Sequence, residues 1–178
     1  QGGMGAGVSD WRLARAVSMR GQIGVVSGTA LDLILVRRLQ LGDPGGHMRR
    51  ALAAFPDQFI SHRLIDRYFI AGGKPPGQPF AFKPMVDHKY NRHIEELLIA
   101  SNFAEVFLAK EGHSGIMGIN YLNKIQTPLL PSLYGAMLAG VDAVIVGAGI
   151  PFEIPGILDG LSRCESVDLK LYVRDAKE

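Results

Sequence analysis

The chain has 178 residues with 47% hydrophobic content, 19 Lys and Arg against 17 Asp and Glu, and a formal net charge of +2. That composition builds an ordinary apolar core in one domain, or part of one, and excludes a disordered polyelectrolyte; the even charge points to neither nucleic acid nor an anionic membrane as a partner. A single cysteine excludes a disulfide framework or a Cys-rich zinc module and suits a reducing, cytoplasmic setting. No apolar run reaches the roughly 18 residues of a membrane span. Gln1-Gly2-Gly3-Met4-Gly5 has neither the basic nor the apolar region of a signal peptide.

The opening residues form a glycine-rich loop with no strand ahead of them, so a strand further upstream is expected. Ser9 offers an N-cap for a helix over 10–19, with Leu13, Ala16 and Val17 on one face and Gly21 as the stop. Residues 23–27 are a short apolar run ending at Gly28-Thr29, the pattern of a buried parallel strand. Leu31, Ile34, Leu35 and Leu39 are spaced for one face of a helix over 30–41. After the Asp43-Pro44-Gly45-Gly46 turn, two short helices are predicted over 47–54 and 58–69. The prolines and glycines of 71–84 then read as an irregular surface loop.

Residues 105–108 have strand character, but a strand there would lie too close to the next one. Parallel neighbours need a crossover of about a dozen residues. One long helix over 91–111 is therefore predicted, with Ile94, Leu97, Leu98, Phe103 and Phe107 inward and Gly112 as its stop. Strands follow at 117–122 and 142–146, helices at 131–139 and 152–161, and a last strand at 167–173, where Val167, Leu169, Leu171 and Val173 alternate.

Single strands alternating with helices imply a parallel α/β sheet with right-handed crossovers. About half of a (β/α)₈ barrel and a small doubly wound sheet both fit this count. Either architecture binds ligands at strand C-termini. Here those ends carry Gly3, Met4 and Gly5; Ser27, Gly28 and Thr29; Asn120; and Gly147, Ala148 and Gly149. Small residues let a flat ring or a phosphate approach the backbone, although glycines also simply make βα turns. The Asn120 amide both donates and accepts, as the edge of a heteroaromatic ring requires.

Other polar residues carry less. Gly3-Met4-Gly5-Ala6-Gly7 is no dinucleotide fingerprint, and no Gly-Lys-Ser/Thr phosphate loop occurs. His47, His62, His88, His93 and His113 lack metal-ligand spacing. His113 reads as a loop residue at a strand's N-terminal end. Lys124 lies on the ligand side. Arg37-Arg38 and Arg49-Arg50 read as solvated helix faces, and Cys164 has no neighbouring base.

Four segments in order resemble the nitronate monooxygenase (2-nitropropane dioxygenase-like) flavoproteins: 1–5 (QGGMG), 24–32 (GVVSGTALD), 117–122 (MGINYL) and 139–149 (AGVDAVIVGAG). The resemblance spans the chain, as the N-terminal part of that fold with a helical insertion at about 30–112. It implies a (β/α)₈ TIM barrel that binds FMN across its strand C-termini. Gly3, Met4 and Gly5 would lie near the flavin ring and Asn120 would hydrogen-bond to it; Ser27, Gly28, Thr29 and Gly147, Ala148, Gly149 would be neighbours. The implied reaction oxidises an alkyl nitronate through the flavin, with O₂ as co-substrate. None of the five histidines matches the family's base, so no catalytic residue is assigned. Flavin-dependent reduction of an enoyl thioester by a related barrel stays open. So does a non-catalytic barrel fragment that associates, as a homo-oligomer for example, through its open strand edge.

Overall fold

The computed structural model describes residues 1–173, which form an α/β layer of three parallel strands and seven helices. In chain order these are α1 (Trp11–Ser18), β1 (Gly24–Ser27), α2 (Leu31–Gln40), α3 (His47–Ala53), α4 (Gln58–Tyr68), α5 (Arg92–Lys110), β2 (Met117–Leu122), α6 (Leu129–Leu138), β3 (Ala143–Gly147) and α7 (Ile154–Ser162). The sheet order is β1-β2-β3, with Ser27 opposite Asn120 and Asn120 opposite Ile145. No helix is long and apolar enough to cross a membrane among the described residues.

Alternation along the strands sorts the molecule into two sides. Val26, Met117, Ile119, Tyr121, Val144 and Val146 join one apolar core. α1 and α5 pack on that side of the sheet; α2, α3, α4 and α6 pack on α5, and α7 packs on α6. The opposite side carries Val25, Ser27, Gly118, Asn120 and Ile145. The chain's first residues cover it at Val25 and Asn120, while Ile145 is 41% exposed. The outer edge of β1 is also closed locally: Val25 N–H donates to Gln1 Oε1 at 3.0 Å and Ser27 N–H to the Ser9 carbonyl at 2.9 Å.

The segment 105–108 is helical, as the spacing argument requires. Three sequence expectations are corrected. Residues 167–173 do not form a fourth strand. Val167 instead folds against Gly160 of α7, and the Tyr172 backbone is satisfied by a side chain, Gln126, whose Oε1 accepts from Tyr172 N–H at 2.6 Å. The Tyr172 peptide groups are thus met by a side chain rather than by a ladder, and the segment does not pair with β3. Secondly, the N-cap of α1 is Asp10, whose carboxylate accepts from the Arg12 and Leu13 amides, rather than Ser9. Ser9 Oγ donates instead to the Met4 carbonyl at 2.7 Å and so braces the opening loop.

Thirdly, Arg38 is no solvated residue. It bridges Glu105 Oε2 at 2.6 Å and Asp10 Oδ2 at 3.3 Å, while Glu105 Oε1 accepts from Trp11 N–H at 2.8 Å. This network ties α1, α2 and α5 together beneath the apolar core. Arg49 and Arg50 do lie near the surface, paired with Asp43 and Glu111.

Burial raises the Glu105 carboxyl above its ordinary value of 4.5, against the opposing pull of Arg38. The folded state then holds this proton more tightly than the unfolded chain. Its contribution to stability is fully present below pH 4.5 and is lost as pH rises through the elevated value. Thermal unfolding of Glu105→Gln and wild type across pH 4–8 should show the variant gaining on wild type as pH rises. A difference in Tm that does not change with pH contradicts this reading. Arg38→Met, which strands the carboxylate, should cost about 3 kcal/mol at neutral pH.

Candidate site at the strand C-termini

β2 is the centre of the sheet, and Asn120 sits near its C-terminal end on the side away from the helices. Its amide Nδ2 donates to the Gly2 carbonyl at 2.9 Å and toward Met4 Sδ at 3.3 Å. Those contacts fix which end of the amide is oxygen. The oxygen, Oδ1, is buried and has no hydrogen-bond partner. An unpaired buried acceptor costs about 1–3 kcal/mol, so a donor brought to this atom would be bound favourably.

Gly3 lies directly over this amide. Its φ is +66°, and a Cβ there would stand 2.4 Å from Val25 Cγ1, 2.9 Å from the Val26 carbonyl oxygen and 3.0 Å from Asn120 Cβ. Only glycine allows the loop to come this close to the strand ends. Met4 above it is largely exposed, and Gly5 opens the turn in which its carbonyl accepts from Val8 and Ser9 N–H. Ser27 is Asn120's partner in the ladder, and Gly28 N–H donates to the Asn120 carbonyl at 2.8 Å. The sequence-predicted residues Gly3, Met4, Gly5, Ser27, Gly28 and Asn120 therefore form one cluster.

Four predicted residues stand apart from it. Gly147, Ala148 and Gly149 lie at the end of β3, two register steps past Asn120. They are held to the β2–α6 loop by Asn123, whose N–H donates to the Gly147 carbonyl at 2.8 Å. Asn123 escaped sequence reasoning because nothing in its surroundings marks a loop-to-loop contact. Thr29 lines a different space, on the helix side of the sheet.

That second space is a cavity of about 660 Å³ between the β1–α2 turn, α5 and the β2–α6 loop. Tyr121 forms part of its wall. Burial keeps the phenol well above its ordinary value and hence neutral, and its proton serves Asn102 Oδ1 at 2.8 Å and the Ser132 carbonyl at 2.9 Å. Gly28 also lines this cavity, packed so closely on the Tyr121 ring that a Cβ on it would strike the ring at 2.3 Å.

His113 lies at the opposite, N-terminal end of β2. There its ring caps α5 against the Ala109 carbonyl and accepts from Gly115 N–H. Among the described residues no group of three or more His, Cys, Asp or Glu is arranged to hold a metal ion. Comparison of the chain with protein-family models, with curated proteins and with solved structures finds no match.

Gly3→Ala should lower thermal stability by about 1–3 kcal/mol, through its positive φ together with the contact on Val25. Trimming Val25 to Ala in the same chain should recover only part of this, because the Val26 carbonyl and the backbone strain remain. Full recovery in the double variant, measured by denaturant unfolding, contradicts the geometry.

Proposed function

We propose that the open side of the sheet is a flavin face and that the chain belongs to an FMN-dependent oxidoreductase of the nitronate monooxygenase type. The observation that supports this reading is the Asn120 amide at the strand C-termini, whose Oδ1 has no hydrogen-bond partner and is closed over by the glycine-rich loop 2–5, which must lift for a ring to reach it. An acceptor of this kind suits a ring N–H. The donors and acceptors of the Gly2–Gly5 backbone suit the edge of the same ring. On this reading Asn120 accepts from the ring and Gly3, Met4 and Gly5 lie along it. Ser27 and Gly28 close the near side, and Gly147, Ala148 and Gly149 bound the next strand end. Bound there, FMN supplies a two-electron acceptor for an alkyl nitronate, with O₂ taking up those electrons in turn.

The same reading makes the three strands consecutive members of a (β/α)₈ barrel. Its support is that α1 and α5 both pack on the side opposite Asn120. A doubly wound sheet covers both of its faces with helices, whereas a barrel keeps its helices outside and its ligand at the strand C-termini. Val25, Gly118, Asn120 and Ile145 would then be interior positions.

FMN should quench its own fluorescence, or develop a shifted absorption band, when titrated with the purified chain. Asn120→Ala should weaken its binding about fivefold, the worth of one hydrogen bond of roughly 1 kcal/mol. Equal affinity in the variant removes Asn120 from the site, and absence of binding by wild type overturns the flavin reading for this chain. Supplying the flavin-loaded protein with an alkyl nitronate and O₂, or with an enoyl thioester and a nicotinamide donor, distinguishes the two reactions open to such a face.

A further inference from the structure

The cavity of about 660 Å³ lies across the sheet from Asn120, because consecutive residues of β2 point to opposite sides and Tyr121 faces the cavity. It is the size of an ordinary small-molecule site and has mostly apolar walls, among them Leu31, Leu98 and Leu129. Residues 82–86 of the irregular segment between α4 and α5 form its outer lip. Phe82 and Met85 there are 79% and 82% exposed, so apolar side chains face water at the entrance.

Three charged side chains line this space: Asp32, Lys83 and Arg37. Asp32 and Lys83 are both buried and pair with each other, which also pins the lip to the start of α2; their charges cancel. Arg37 is left over. One of its terminal nitrogens donates to Gln40 Oε1 at 2.8 Å and to the Ala81 carbonyl at 3.0 Å, both neutral, and its guanidinium stacks on Phe80 at 4.4 Å. It pairs with no carboxylate among the described residues. A guanidinium fixed in place by neutral partners, at the edge of an otherwise neutral apolar cavity, complements a single anionic group attached to an apolar body.

We propose that this cavity is a binding site for an amphipathic anion, its apolar body inside and its charged head at Arg37. The site is independent of the flavin reading, since it uses the other side of β2 and needs no cofactor.

The test uses two fluorescent probes with the same aromatic body, the anionic anilinonaphthalene sulfonate and the neutral N-phenylnaphthylamine, on the flavin-free chain. Wild type should bind one sulfonate more tightly than the neutral probe. Arg37→Gln should weaken the sulfonate about fivefold or more and leave the neutral probe nearly unchanged, while Arg37→Lys should keep the preference for the anion. Ile125→Trp, on the cavity wall, should raise energy transfer to the bound probe above that from the native Trp11 and so locate it. The proposal is overturned by equal sulfonate affinity in wild type and Arg37→Gln, by loss of the preference in both Arg37 variants, or by a probe that receives no energy from position 125.

Discussion

Everything in this molecule is referred to one constraint, the register of β2. The strand is paired on both edges, with β1 on one side and β3 on the other, so its backbone groups are committed and only its side chains remain to be placed. Met117, Ile119 and Tyr121 go to the helices; Gly118 and Asn120 go to the opposite side. A slip of one residue would exchange the two sets, driving the Asn120 amide into the apolar core and expelling Ile119 and Tyr121 from it. Burying that amide without partners costs a few kcal/mol, and each large apolar side chain expelled forfeits about 1.5–3 kcal/mol. The same alternation that holds the core together therefore delivers a polar amide to the open side and a phenol to the cavity.

The helix layer answers to α5. This helix packs against α1, α2, α3, α4 and α6 as well as the sheet, and it carries carboxylates that the apolar surroundings would reject if they stood alone. Glu105 is held by Arg38 and the Trp11 amide; Glu96 is held by Arg63 and Arg92. Such pairs add little net stability when compared with apolar replacements, but removing one partner is costly. Their consequence is specificity of placement: Glu105 fixes where α1 begins and where α2 crosses, and α1 in turn sets Ser9, which braces the opening loop over Asn120.

Much of this was legible in the chain. The period of the apolar residues gave the helices and the central strands, though α1 buries Trp11, Ala14 and Ser18 rather than the expected Leu13, Ala16 and Val17, and the crossover argument correctly made 91–111 a helix. The convergence of Gly3, Ser27, Gly28 and Asn120 on one edge followed from placing each at a strand end. The misreadings share a cause, which is that pattern reports a residue's own preference and not its partner. Residues 167–173 alternate as a strand does, yet Gln126 satisfies the Tyr172 backbone and no ladder forms. Arg38 and Glu105 are 67 positions apart, so two charges that bury each other look like two solvated ones. The cavity is assembled from segments between Gly28 and Ser132, none of which announces it.

The central proposal is that β2 presents a ligand-binding amide, Asn120, on one side, while on the other its Tyr121 is held by a purely structural amide, Asn102 of α5. Side-chain amide NMR of asparagine-labelled protein tests it directly, with Asn120 and Asn102 assigned by substitution. Addition of FMN should move the Asn120 resonances and leave those of Asn102, locked between Tyr121 and Leu98, where they were. A shift confined to Asn102, or no shift at either position, would contradict the account.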